Sequence, residues 1–316
     1  MHSHASYRSR RPLGLLLTCG LACASLAATS ALAQPDLPPF DKVSEGYTPL
    51  AGPVDGTRPL WNLWRRDRDA QLLAELPASY DGQRFFIVPT IAGGDAQTGV
   101  YSTWHPAINQ DARQLYWTRR NNLLVLMEPN LAARAGGDAQ GRAAQQRIDT
   151  DTVILATPIV ATGPSGGPVI DLDAVLVGES RRFFGSFTAG SDTRLVKIES
   201  AKAFPYNLEL SLSLPRASGQ IGVIHYSIGA PPRNPAYKPR QADRRVGYYY
   251  TNYTDRSRHG LDEPVVRYIN RWHVEPSDPS LRLSPARQPI VYYIEHTTPI
   301  RYRRWVREGI LAWNKA

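Results

Sequence analysis

The hydrophobic pattern along most of the chain has a period of two. Between residues 207 and 214, leucines at alternate positions are separated by Asn, Glu and Ser. Successive side chains of a strand point to opposite faces, so this alternation predicts a strand with one buried and one solvated face. Such strands are typical of antiparallel sheets. Similar runs, most of them bounded by turn-forming residues, lie at 85–90, 115–118, 123–128, 153–159, 195–199, 221–228, 246–253, 265–274 and 290–294.

Helical spacing occurs at two places. Residues 66–76 carry Ala70, Leu73 and Leu76 between charged positions, which predicts a short amphipathic helix that ends before Pro77. The last sixteen residues predict a second helix with one aromatic face. Its apolar positions recur at spacings of three and four: Tyr302, Trp305, Val306, Gly309, Ile310 and Trp313. This helix either docks on the preceding sheet or opens a further domain.

Two segments lack any apolar period. Residues 35–59 are rich in proline and glycine, which predicts an extended lead-in rather than a packed element. Residues 132–146 are mostly Ala, Gly, Gln and Arg, which predicts a mobile surface insertion. The folded part is therefore expected to begin near Leu60.

The first 33 residues have the organisation of a cleavable signal peptide. Three arginines precede an apolar stretch from residue 13 to about residue 28, and Ala31-Leu32-Ala33 forms an Ala-x-Ala cleavage site. The apolar run is shorter than the roughly 20 residues that span a bilayer, so cleavage is favoured over a retained anchor. Lipid attachment at Cys23 is disfavoured by the residues before it. The sequence thus predicts an exported protein, periplasmic or extracellular, with no transmembrane segment after signal cleavage.

Composition narrows the class of partner. Both cysteines, Cys19 and Cys23, lie in the leader, so the mature chain is expected to have no disulfide and no cysteine metal site. Without the three leader arginines, 34 basic and 28 acidic side chains remain, a net charge of +6. This excess favours anionic surfaces such as lipopolysaccharide or acidic polymers. The basic residues are dispersed and the chain is exported, which argues against nucleic acid.

Ser165 is the one candidate nucleophile. It lies in Gly163-Pro164-Ser165-Gly166-Gly167-Pro168, and trypsin-like proteases place their serine in a similar turn, whose amides form an oxyanion hole. The only histidine upstream in the mature chain, His105, is too close in sequence for that fold. A glycine- and proline-rich loop between two strands explains the same residues, and we favour it.

Metal chemistry has no local motif either. A zinc peptidase needs His-Glu-x-x-His on a helix, and no such string occurs. The mature histidines are far apart in sequence, and such residues are more often structural: His105, His225, His259, His273 and His296.

Residues 240–250 mix arginines with three consecutive tyrosines that could stack on a polysaccharide or peptide, although a solvated turn beside a strand is the simpler interpretation. No catalytic, cofactor-binding or metal-binding residue is therefore assigned.

The C-terminal third resembles a known family. Four segments carry the resemblance: residues 237–249, Arg267-Tyr268-Ile269-Asn270-Arg271-Trp272, residues 289–297, and Trp305-Val306-Arg307-Glu308-Gly309-Ile310 with Trp313-Asn314-Lys315-Ala316. They resemble secreted bacterial zinc-dependent metalloproteases of the metzincin-like group. The resemblance covers nearly all of the mature chain and includes residues 169–172.

The resemblance implies a division of the chain and a function. Residues 34–59 are then the lead-in, 60–279 a mainly β, antiparallel accessory region, and 280–316 the first strand and helix of an incomplete α/β metzincin-like catalytic domain. The family's extended zinc motif is expected beyond Ala316, in a longer reading frame or lost by truncation, so zinc is a cofactor of the full-length parent and not of this chain. Peptide substrates would bind through that missing domain. A stand-alone secreted β-rich binding or scaffold protein is the alternative.

Overall fold

A computed structural model describes residues 37–69, 71–94, 112–257 and 264–315. The fold is mainly β. Its fourteen described strands are β1 (Thr48–Pro49), β2 (Asn62–Arg66), β3 (Gln71–Glu75), β4 (Arg84–Gly93), β5 (Arg113–Arg120), β6 (Leu123–Glu128), β7 (Ala133–Arg134), β8 (Thr152–Thr162), β9 (Pro168–Asp171), β10 (Lys197–Ala203), β11 (Asn207–Pro215), β12 (Ile221–Gly229), β13 (Tyr250–Asp255) and β14 (Val265–Ile269). The described α-helices are α1 (Phe40–Val43), α2 (Ala139–Ile148), α3 (Arg181–Phe184) and α4 (Ile300–Ala312).

Eleven strands form one antiparallel sheet in the order β1-β2-β3-β9-β8-β6-β5-β4-β12-β11-β10. The sheet curls, and its two ends approach each other. The backbone N–H of Leu60, just before β2, donates to the carbonyl oxygen of Phe204, just after β10, at 2.8 Å. The side chain of Arg65 reaches the carbonyl oxygen of Ile198 in β10 at 3.4 Å. The inner face of this curl holds the hydrophobic core.

β11 shows how the pattern of period two builds this core. All four of its leucines are buried, while the residues between them are half-buried on the other face. The predicted strand with one buried face is therefore confirmed. A helical segment, residues 174–187, fills the interior with Phe183, Phe184 and neighbouring apolar side chains. Tyr226 in β12 packs edge-on against both phenylalanines and donates its hydroxyl to the carbonyl oxygen of Leu176 at 2.6 Å.

The helix predicted over residues 66–76 was wrong. β2 and β3 occupy this region, joined by a short 3-10 turn at Asp67–Asp69. β3 lies between β2 and β9, and its apolar side chains are buried on both faces: Leu72 and Ala74 belong to the main core, and Leu73 to a second cluster. A strand buried on both sides does not alternate, so its apolar residues simulated a helical spacing.

Two segments that were expected to lack regular structure each contain a helix. In the lead-in, Phe40 of α1 lies 4.9 Å from Trp64, ring centre to ring centre, and contacts the second cluster. In the predicted insertion, residues 139–148 form α2, whose first turn is capped by Asp138 accepting the N–H of Gly141 at 2.6 Å. Capping and the helix propensity of Ala, Gln and Arg explain a helix that buries no residue.

Three predicted strands near the small sheet and the C-terminus needed correction. β13 and β14 form a sheet with β7, but β13 begins at Tyr250 and β14 ends at Ile269. Residues 290–294 form no strand, and their apolar side chains are exposed.

α4 is a helix, as its spacing predicts. β10 begins at Lys197 because residues 193–195 form a 3-10 turn.

Candidate functional site

The turn that contains Ser165 connects β8 to β9 and encloses the carboxylate of Glu75. Glu75 is only 1% exposed. Its Oε1 accepts the backbone N–H groups of Ser165 at 2.7 Å and Gly167 at 3.3 Å, and its Oε2 accepts the amide of Asn62 at 2.8 Å. The N–H groups that would form an oxyanion hole therefore bind a buried side chain of the protein itself.

Ser165 has no contact with a histidine in the described part of the chain. Its exposed hydroxyl accepts a hydrogen bond from the Asn62 amide at 3.1 Å. Each described histidine is engaged elsewhere: His225 with Glu209 at 2.6 Å, His273 with Asn234 and Glu275, and His296 with Glu295. His105 and His259 lie outside the described residues. The arrangement thus fits the loop interpretation of residues 163–168.

The described residues form no group of three or more His, Cys, Asp or Glu side chains that could hold a metal ion. Glu209 is the centre of a small group of polar side chains. It accepts hydrogen bonds from Asn207 at 2.6 Å and Ser227 at 2.8 Å, and it pairs with His225. A carboxylate–histidine pair of this kind orients an imidazole. Two ligand types on an open sheet face do not make a zinc site.

The segment with arginines and tyrosines does form a groove, of about 440 Å³, over the small sheet. Tyr250, Val265 and Arg267 lie along its floor, and the turn at residues 241–248 forms its rim. The guanidinium of Arg267 lies 5.6 Å from the centre of the Tyr250 ring. We call this concavity the basic groove. It matches the sequence-based candidate at residues 240–250 in position.

The rim of the basic groove is held by local bonds. Asp243 accepts the backbone N–H and the guanidinium of Arg245, and these hydrogen bonds lower the pKa of its carboxyl group to about 2. The N–H of Ala242 donates to the carbonyl oxygen of Arg267 at 2.9 Å, which ties the rim to β14. The expected solvated turn is thus present, with the ion pair between Arg245 and Asp243, and it also shapes a concave surface.

The C-terminal segment, residues 270–315, contributes nothing to the buried core. Ile269 is the last buried residue of the described chain. Trp305 and Trp313 of the predicted aromatic face are 62% and 77% exposed. Large exposed apolar surfaces are uncommon on soluble monomers and mark surfaces of interaction. The segment also exposes other large apolar side chains: Trp272, Leu283, Val291, Tyr292, Tyr293, Ile300 and Tyr302.

A pair of aspartates that sequence reasoning missed joins β3 to the end of β9. Asp173 accepts the backbone N–H of Leu72 at 2.6 Å, and Asp171 accepts the N–H of Ala174 at 3.1 Å. Burial, followed by the hydrogen bond with Asp171, raises the pKa of Asp173 to about 7. The carboxyl group of Asp173 therefore keeps its proton to a higher pH than an ordinary aspartate does. The spacing Asp171-x-Asp173 was the only signal in the sequence.

Taken together, the fold and these surfaces define a mainly antiparallel β protein with a turn built around a buried glutamate, a basic groove and an exposed apolar segment. Residues 108–277, more than half of the chain, match the family described as "Domain of unknown function (DUF5117)". The protein belongs to this family. The match includes the basic groove and ends before the segment that carries α4.

No curated protein and no solved structure matches the chain. Among the helices that the structure describes, none is both long and apolar enough to cross a membrane.

Proposed function

We propose that this protein is the accessory N-terminal portion of an exported zinc-dependent metalloendopeptidase, and that residues 280–316 begin its catalytic domain. The observation that carries the proposal is the exposed apolar segment at residues 270–315, which forms no part of the core. The likeness of residues 289–297 and 305–316 to secreted bacterial metalloproteases supports the same assignment.

An amphipathic helix is stabilised chiefly by burying its apolar face. α4 buries no residue of its own, although it contains Trp305 and is followed directly by Trp313. Removing such a face from water contributes about 25 cal/mol per Å² of apolar surface. The exposed segment therefore has the surface chemistry of an element that is completed by contacts with a further domain.

The zinc site itself is not supplied by the described residues. His225, His273 and His296 are each paired separately, and no cluster brings them together. We therefore assign no step of peptide hydrolysis to this chain. Its own part in the proposed enzyme is to fold as a β-rich unit and to support or present substrate to the catalytic domain.

The alternative function is that of a secreted binding or scaffold protein. The basic groove favours it, because a concave surface with arginine and tyrosine side chains suits a polar ligand. This alternative requires no further domain.

The decisive experiment compares the protein with a form extended through any downstream reading frame. Zinc content and casein hydrolysis are measured for both forms. We expect zinc and activity only in the extended form, and loss of activity when the glutamate of its His-Glu-x-x-His string is replaced by glutamine. A stop codon directly after Ala316, or zinc and cleavage in the short form, would overturn the proposal.

Trp305→Gln tests the role of the exposed helix. Because Trp305 is largely exposed, the substitution should change the free energy of unfolding of this chain by no more than about 0.5 kcal/mol. In the extended protein the same change should cost about 3 kcal/mol, since a buried aromatic side chain is lost. Urea denaturation of both forms measures the difference.

Arg307→Gln is the matched control, because Arg307 is exposed on the same helix α4. It should have little effect in either form. Strong amide hydrogen-exchange protection across residues 302–313 in the short, monomeric protein would contradict the view that α4 awaits a partner.

A further inference from the structure

Two neighbouring cavities lie beside the turn that contains Ser165. The outer cavity has a volume of about 290 Å³, and its polar lining includes Arg58, Asn62 and Ser165. The inner cavity has a volume of about 60 Å³ and reaches Trp117. Four residues line both cavities, which therefore share one apolar wall: Leu60, Trp61, Leu76 and Pro77.

The inner cavity has aromatic walls. The Phe85 ring lies 5.3 Å from the Trp61 ring and 6.5 Å from the Trp117 ring, centre to centre. Trp117 is only 3% exposed, so these contacts fix the position of its indole. One water molecule needs roughly 15 Å³ of such space, so the inner cavity can accept a small organic group.

The indole N–H of Trp117 is buried and has no hydrogen-bond partner in the part of the chain that the structure describes. An indole nitrogen can only donate, and an unpaired buried donor is costly. Because Trp117 lines the inner cavity, an acceptor atom placed there can receive this hydrogen bond. The inner cavity therefore favours an apolar group that ends in a hydrogen-bond acceptor.

The outer cavity is polar at its opening. Ser165 is exposed, and its Oγ accepts the amide of Asn62 at 3.1 Å, so its hydroxyl proton remains available to a ligand. Arg58 is exposed as well, which places a guanidinium at the same opening. A guanidinium and a hydroxyl group together suit a carboxylate.

Glu75 also lines the outer cavity, but local hydrogen bonds balance its charge. It is 1% exposed, and its oxygens accept two backbone N–H groups of the turn and the amide of Asn62. The inner cavity adds Arg84, whose guanidinium donates to Gln114 at 2.9 Å. The two linings thus carry two positive charges and one buried negative charge, which favours an anionic ligand.

We propose that the two cavities form one elongated site that binds a small aromatic carboxylate. The carboxylate lies between Arg58 and Ser165, and the ring packs against the shared wall. An acceptor at the far end of the ring receives the N–H of Trp117. This order follows from the linings, because Arg58 and Ser165 line only the outer cavity and Trp117 only the inner one. The site requires no catalytic domain and is independent of the proposed protease.

Isothermal titration calorimetry with para-acetylphenylacetate tests the proposal. The isopropyl analogue, para-isopropylphenylacetate, has nearly the same shape but lacks the acceptor. We expect saturable binding of the acetyl compound and a Kd about tenfold weaker for the isopropyl compound, because the buried N–H then stays unpaired. The methyl ester of the acetyl compound should bind about threefold more weakly than the acid, because the exposed guanidinium loses its charged partner.

Variants assign these effects to residues. Arg58→Gln should weaken binding of the acetyl compound about threefold and leave binding of its methyl ester unchanged. Arg147→Gln is the matched control, because Arg147 is exposed on α2 and lines neither cavity. Trp117→Phe should remove the preference for the acetyl over the isopropyl compound.

The comparison of the two compounds on the wild-type protein does not depend on the folding of any variant. Equal Kd values for them, as expected if a water molecule alone satisfies Trp117, would overturn the proposal. So would a lack of saturable binding of the acetyl compound, or an effect of Arg58→Gln no larger than that of Arg147→Gln.

Discussion

Gly167→Ala is expected to destabilise the protein by about 3 kcal/mol, the upper range for a forced backbone shift in a packed interior. A Cβ at this position would overlap the carbonyl oxygen of Leu76. That atom belongs to the backbone and cannot rotate away. The approach is close because the N–H of Leu76 donates to Pro168 at 3.0 Å, which joins the end of β3 to the start of β9. Chemical denaturation measures the change.

Gly178→Ala is the matched control. A Cβ at Gly178 meets nothing within 4 Å, and its backbone is not left-handed. We expect the free energy of unfolding to change by less than about 1 kcal/mol there, and it could rise because the unfolded chain loses freedom. Similar values for the two alanine variants would mean that residues 163–168 are not packed against β3.

The same turn explains why the serine-protease motif is misleading. Gly163 and Gly167 are required by close approach, since a Cβ at Gly163 would overlap the side chain of Glu75. A protease uses glycines in such a turn to expose amide groups to substrate. Here the amides of Ser165 and Gly167 are directed at Glu75. The glycines and the serine of this motif therefore join the turn to Glu75 of β3, which is a structural role.

The parts of the fold that were predictable are those where one face is buried. β11 and β12 alternate regularly, and β6 was predicted with the bounds it has. β3 was not predictable, because neighbours on both faces bury consecutive residues Leu72, Leu73 and Ala74. α2 was missed because its stability comes from a cap and from propensity, without an apolar stripe.

Among the candidate sites, too, a local sequence pattern predicts some features, whereas others depend on contacts between distant residues. The basic groove could be located because its arginines and tyrosines are contiguous in sequence. The hydrogen bonds between Glu75 and the turn could not be located from sequence. The amides of Ser165 and Gly167 lie 90 and 92 residues from Glu75 and meet it only through sheet pairing. The pairing of β7 with the end of β13 also joins distant segments, and the local sequence pattern does not contain such pairings.

Replacing Asp173 with Asn is expected to remove much of the pH dependence of stability between pH 5 and pH 8. The folded pKa of Asp173 is raised to about 7 from an ordinary value of 3.8. Within this window the folded protein keeps a proton that the unfolded chain has released. Stability is therefore greatest at low pH and falls as the pH rises toward 7, by about 2 kcal/mol between pH 5 and pH 8.

Asn fits the same position without a titrating proton. Its oxygen can accept the N–H of Leu72, and its amide can donate to Asp171 in place of the carboxyl proton of Asp173. We expect Asp173→Asn to match the wild type near pH 5 and to exceed it at pH 8, as measured by urea denaturation. Asp192→Asn is the control: Asp192 is ionised throughout this range because Arg194 lowers its pKa to about 2, so its removal should leave the slope unchanged. Parallel pH profiles for wild type and Asp173→Asn would contradict the assignment of this pH dependence to Asp173.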